Sequence, residues 1–207
     1  SLNINNNEYN KIMIWMPTFR HHKNGSRSDV GNFVTKGDLP IIENKHSWKS
    51  LNSYLRKYNM MLIIKPHPAQ SIQWFSAENN TNIRTVTNDD LFAHSIELYN
   101  LLGECDALIT DYSSVYLDYL LLNKPVAFTT DDINEYRNNL GFLVDNIYDY
   151  MPGHKINNIE DFKIFIYDLA NSIDKYEIKR LEVRKKFNKH LDGKSSERIL
   201  RYLNLIK

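Results

Sequence analysis

Short apolar runs alternate with amphipathic stretches along most of this chain, and no other feature restricts the fold more. Segments 12–16, 61–64, 83–86, 107–109 and 126–128 each read as a strand, most of them apolar enough to be buried on both faces. Helices are predicted between them at 47–58, with Trp48, Leu51, Tyr54 and Leu55 on one face, and at 98–102 and 115–122. Parallel strands need a helical return, so this alternation is the signature of βαβ units. The reading is an α/β fold, a Rossmann-like doubly wound parallel sheet with one strand per run. Asn123 is the expected C-terminal cap of the 115–122 helix, and Lys124-Pro125 opens the next strand. Beyond Gly141 the pattern turns helical, at 159–173, 176–190 and 195–205, which predicts a helical C-terminal tail. The expected organisation is a polar lead-in over 1–10 read as a fragment boundary, a Rossmann-like domain over 11–157, and helices over 158–207 packed on the same domain.

Composition narrows the function. A chain of 207 residues that is 42% hydrophobic can bury a core without a covalent staple. With 26 Lys+Arg against 25 Asp+Glu, the net charge of +1 gives no global attraction for nucleic acid, and no nucleic-acid partner is expected. The single cysteine, Cys105, excludes an intrachain disulfide framework and a multi-cysteine zinc site, and fits a reducing compartment. No segment approaches the roughly 20 apolar residues that span a bilayer.

Three strand ends carry groups suited to an anion. Ala107 to Ile109 feeds the turn Thr110-Asp111-Tyr112-Ser113-Ser114, which feeds an apolar helix. Unpaired backbone N–H groups at the helix start and two serine hydroxyls would then face the carboxyl edge of the sheet, where open α/β sheets bind ligands. The plainer reading is that Ser113 or Ser114 caps its helix, and the two readings are compatible. His67 stands between Pro66 and Pro68 after a buried strand, so its imidazole is presented in a fixed direction, either to backbone or to a phosphate. Thr18 and Arg20 follow the first strand, and Arg is a bidentate phosphate partner. Asp131-Asp132 follows a further strand and reads as a turn or cap, or as a contact for ribose or a cation.

Two further segments have plainer explanations. His21-His22-Lys23 lacks a carboxylate partner and reads as a surface loop, so no metal site is assigned. Lys179, Arg180, Arg184, Lys185, Lys186 and Lys189, with Ile178, Leu181 and Phe187 among them, form a solvated basic helix face or one resting on an anionic membrane.

These residues resemble the CDP-glycerol glycerophosphotransferases, the teichoic acid and capsule polymerases. The likeness is carried by Pro17 to Arg20, the Lys65-Pro66-His67-Pro68 turn, Asp106 to Ser114, Asp118-Tyr119 and Asn123-Lys124-Pro125. It continues through Asp132, Glu135-Tyr136-Arg137, Gly141-Phe142, Pro152-Gly153, Asp192-Gly193 and Arg198. The resemblance implies the C-terminal, donor-binding half of a GT-B fold, with the N-terminal half of the same protein as its partner. It implies CDP-glycerol as donor, a polymer or lipid-linked glycerol-phosphate as acceptor, and CMP as product. His67 would be catalytic. Ser113, Ser114, Thr110, Asp111, Thr18 and Arg20 would hold the pyrophosphate, and Asp132 and Glu135 the nucleotide or ribose, with Asp118 read as structural. No cofactor is required by the sequence, and the part played by Mg²⁺ is left open. The acceptor-side histidine of the family, in a Trp-His-Gly type motif, has no counterpart, since Trp15, Trp48 and Trp74 precede Met16, Lys49 and Phe75. The expected location is cytoplasmic, peripheral on the inner face of the membrane. Rival readings are a CDP-ribitol or nucleotide-sugar donor on the same fold, and a non-catalytic nucleotide-binding regulatory domain.

Overall fold

In the computed structural model, residues 8–18, 39–42, 44–67 and 82–206 are described. Six parallel strands form one sheet: β1 (Lys11–Trp15), β2 (Met60–Ile64), β3 (Ile83–Thr85), β4 (Ala107–Thr110), β5 (Val126–Thr129) and β6 (His154–Ile156). Their order is β3-β2-β1-β4-β5-β6, so the chain builds outward from β1 in one direction and then in the other. Ile14 at the centre pairs with Ile63 of β2 on one side and Leu108 of β4 on the other.

Side chains alternate between two buried faces, as the pleat requires. Met13, Trp15, Leu62, Ile64, Ile109 and Ala127 face one core. There α1 (Lys45–Lys57) contributes Leu51 and Leu55, and α6 (Ile159–Ala170) contributes Phe162 and Phe165. Ile12, Ile14, Met61, Ile63, Leu108 and Phe128 face the other. That core is closed by Leu91 of α2 (Asn88–Ala93), Leu102 of α3 (Leu98–Glu104), Tyr116 and Tyr119 of α4 (Val115–Tyr119) and Val183 of α7 (Glu177–Phe187). Helices α5 (Ile133–Asn139) and α8 (Ser195–Tyr202) complete the described α-helices. The sheet is therefore doubly wound, as expected, and α6, from the predicted tail, is one of its covering layers.

Local signals account for the ends of these elements. Asn44 caps α1 by accepting from the amides of His46 and Ser47. Thr87 and Asp90 form a reciprocal capping box on α2. Asn123 adopts the left-handed conformation at φ 51°, ending the short 3₁₀ turn that extends α4.

The sequence reading missed β6. It is three residues long, at the sheet edge, and only Ile156 in it is buried, so it carries no apolar run. Gly153 admits it: a Cβ there would lie 1.9 Å from the Val126 carbonyl oxygen of β5.

Candidate functional site

Because the strands are parallel, the segments following β1, β2, β4 and β5 share one edge. Strand order reverses between β1 and β4, and at such a switch point the departing chains leave a crevice. Thr18 follows β1 and Asp111 follows β4, on the two sides of that point. Thr18 donates its backbone N–H and its hydroxyl to Asp111 Oδ2, both at 2.8 Å. The Thr110 hydroxyl donates to the Met16 carbonyl at 2.7 Å, and the Met16 amide to the Ile109 carbonyl at 2.8 Å. Thr110 and Asp111 are both fully buried. Thr110 and Asp111, both expected to hold pyrophosphate, use these side-chain bonds to join the ends of β1 and β4.

Ser113 and Ser114 come next, Ser113 half-buried and Ser114 exposed. Ser114 occupies the N-cap position of α4 but makes no side-chain cap bond. Ser113 Oγ is 3.4 Å from the Val115 amide, a long contact. Helix capping therefore engages the pair weakly, and both hydroxyls sit on the edge that the sequence reading assigned to an anion.

Across β1, the Lys65 amide continues the ladder by bonding to the Trp15 carbonyl at 2.9 Å, and His67 follows, half-buried. The Lys65 side chain is buried and donates to Asn88 Oδ1 of α2 at 2.7 Å, and burial lowers its pKa. Lys65 was not singled out from sequence, although a lysine directly continuing a buried strand was a visible signal. Arg20 and the His21-His22-Lys23 segment lie outside the described residues, as does Pro68.

After β5, Asp131 accepts from the Ile41 amide at 3.1 Å. Asp132 accepts from the Tyr112 hydroxyl at 2.7 Å, and Glu135 is exposed on the first turn of α5. The rings of Tyr112 and Tyr136 lie 4.1 Å apart, and Phe142 stacks on Tyr136 at 5.1 Å. Sequence reasoning missed this aromatic layer because its members come from three separate segments. Asp118, by contrast, is exposed on α4 and accepts from the Tyr99 hydroxyl at 2.8 Å.

Among the described residues no three His, Cys, Asp or Glu side chains form a metal-binding group, and no helix is long and apolar enough to cross a membrane. The basic segment of α7 divides: Arg180 is buried and paired with Asp174, whereas Ile178 and Phe187 are exposed.

Comparison with known proteins decides the family. Residues 1–205 match the family described as CDP-Glycerol:Poly(glycerophosphate) glycerophosphotransferase. The chain belongs to that family. Among curated glycerophosphotransferase relatives, the teichoic acid glycerol-phosphate primase of Bacillus subtilis strain 168 is 31% identical over 197 residues, covering 95% of this chain and 44% of its own. The teichoic acid poly(ribitol-phosphate) polymerase of Bacillus spizizenii W23 is 29% identical, over 92% of this chain and 27% of its own. The chain thus spans less than half the length of these relatives. The wall teichoic acid polymerase TagF shares the fold, with a TM-score of 0.69 at 24% identity over 98% of this chain and 45% of that one. The serine turn and His67 therefore lie on the carboxyl edge of a domain of this family.

Proposed function

We propose that this chain is the donor-binding part of a glycerophosphotransferase. The enzyme moves glycerol-phosphate from CDP-glycerol to a hydroxyl of a teichoic-acid-like or capsular polymer, releasing CMP. The observation that carries the reading is the family match over 1–205, taken with a carboxyl edge bearing Ser113, Ser114 and His67. In this scheme the acceptor oxygen attacks the glycerol-bearing phosphorus, and the bond from that phosphorus to the CMP oxygen breaks. The acceptor proton goes to a base outside the described residues, for which the remainder of the full-length protein is the source. Charge grows on the departing CMP phosphate, and positioning plus charge stabilisation dominate such transfers. Ser113 and Ser114, with the turn's amides, hold the pyrophosphate. His67 stabilises the leaving phosphate or protonates it. Thr18 is set by Asp111 to complete the same cradle, Arg20 adds a bidentate cation, and Asp132 and Glu135 border the ribose. The full-length protein works at the inner face of the cell membrane, where a polymer acceptor would be anchored.

A second donor is favoured by one finding: ribitol-phosphate polymerases are also among the relatives, at 29% identity for the Bacillus spizizenii protein. Calorimetry with CDP-glycerol, CDP-ribitol, CMP and UDP-sugars tests both readings. Binding of CDP-glycerol and CMP is expected. Tight UDP-sugar binding with no response to any cytidine nucleotide would overturn the assignment, and a clear preference for CDP-ribitol would move it to the second donor.

A further inference from the structure

Helices α4 and α5 both begin at the candidate edge without a side-chain cap, although each has a cap-forming residue, Ser114 or Asp132, at its N-cap position. Serine and aspartate are among the strongest N-caps, so both helices forgo a local stabilising bond. The Asp132 carboxylate instead accepts from the Tyr112 hydroxyl at 2.7 Å, a partner twenty residues away in sequence. The Tyr112 ring is held as well, 4.1 Å from Tyr136 and 5.4 Å from Phe142 between centroids. The residue before it, Asp111, is tied the opposite way, to Thr18. The turn ahead of Ser113 and Ser114 is thus anchored on one side to the end of β1 and on the other to the end of β5, the two neighbours of β4. Where local rules are broken together and long-range bonds stand in their place, the departure points to function.

We infer that Tyr112 is a positioning residue, whose hydroxyl bond to Asp132 sets the direction in which Ser113 and Ser114 face the donor phosphates. The inference rests on the donor-site reading above and adds a residue to it. Tyr112 acts through the turn, so removing its hydroxyl alters donor binding while the ring keeps its packing.

The test compares the wild-type chain with Tyr112→Phe, Asp132→Ala and the double variant, by calorimetry with CDP-glycerol, thermal melting and amide hydrogen exchange at residues 112–115. Tyr112→Phe is expected to bind CDP-glycerol about tenfold more weakly, because donor binding must then order a turn that the latch no longer holds. Its melting temperature should stay within about 4 °C of wild type. Exchange at 112–115 should quicken by about tenfold, and the double variant should bind no more weakly than Asp132→Ala alone, because the two residues act as one latch. Wild-type affinity in Tyr112→Phe, or unchanged exchange, would overturn the inference. If the wild-type chain binds no CDP-glycerol, the donor reading fails on its own account. The exchange rates then decide the latch, unchanged rates overturning it and faster rates supporting it.

Discussion

Thr18 donates both its backbone N–H and its side-chain hydroxyl to a single carboxylate oxygen of Asp111, each at 2.8 Å. One buried carboxylate thereby joins the two chain ends that diverge at the switch point of the sheet. Hydrogen bonds to a charged acceptor contribute about 1.5–3 kcal/mol each, and an unmet buried donor adds its own cost. Asp111→Ala is expected to destabilise the domain by about 3 kcal/mol, lowering the melting temperature by about 6–12 °C. Asp111→Asn keeps one carbonyl acceptor without the charge and should lose about half as much. Chemical denaturation of the three proteins checks the ranking, and a loss below about 1 kcal/mol for Asp111→Ala would show the brace to be unimportant.

The serine turn separates binding from stability. A lost N-cap ordinarily costs about 1 kcal/mol. Since Ser114 makes no cap bond and Ser113 only a 3.4 Å contact, Ser113→Ala and Ser114→Ala should each cost less than about 0.5 kcal/mol. Donor affinity should fall by about tenfold in each, as loss of a hydrogen bond to a charged phosphate implies. Calorimetry beside denaturation reads both quantities. Unchanged affinity in both variants would remove the pair from the phosphate cradle.

His67 follows β2 on the same edge and is half-buried. In the full-length enzyme, His67→Ala is expected to lower turnover by about 10²-fold or more, as loss of a general acid or charge stabiliser does. Folding should be little affected. Release of CMP from CDP-glycerol measures the first and melting temperature the second. Near-normal turnover would exclude His67 from the chemistry.

Much of this architecture was legible in the sequence, and the exceptions share a cause. The runs that became β1, β2, β4 and β5 are apolar on both faces because helices cover both sides, and covered strands announce themselves. Helix α2 carries its start signal in Thr87 and Asp90, which a search for capping boxes would have found. Helix α5 was harder, because the polar residue at its start, Asp132, bonds to Tyr112 rather than to the helix. Serine hydroxyls and a histidine at strand ends can be named from spacing. The pairs Thr18–Asp111 and Tyr112–Asp132 cannot, because each bond joins segments that only the strand order brings together. Arg180 shows the same limit: sequence places it on a basic face, and its burial against Asp174 comes from packing beneath Asn123, whose carbonyl it also bonds at 3.1 Å.

Gly153 is required by space. Its ideal Cβ would lie 1.9 Å from the Val126 carbonyl oxygen and 2.7 Å from the carbonyl carbon, so a methyl group must displace backbone rather than a side chain. Gly153→Ala is expected to cost about 3 kcal/mol or more, the upper end of overpacking, and to loosen β6 from β5. Amide exchange at β6 together with the melting temperature checks this. A fully protected β6 in the variant would mean that the backbone yields without penalty.

His154 gives the domain an acid-sensitive corner. Its ring packs against Phe165 and Tyr176, and its Nε2 lies 3.3 Å from Asp168 Oδ2. Burial disfavours the imidazolium and lowers its pKa. Asp168 and Asp174 act in the opposite sense, and Lys175 and Lys155 reinforce the lowering. The unfolded chain then takes up a proton near the ordinary histidine value of about 6.5, while the folded chain resists it. Stability contributed by neutral His154 is therefore present above about pH 6.5 and is lost as the pH falls below it toward the folded value. Melting temperatures from pH 7.5 down to pH 5 should decline more steeply for wild type than for His154→Phe, which keeps the aromatic packing and cannot charge. Parallel declines would show that other groups govern acid stability.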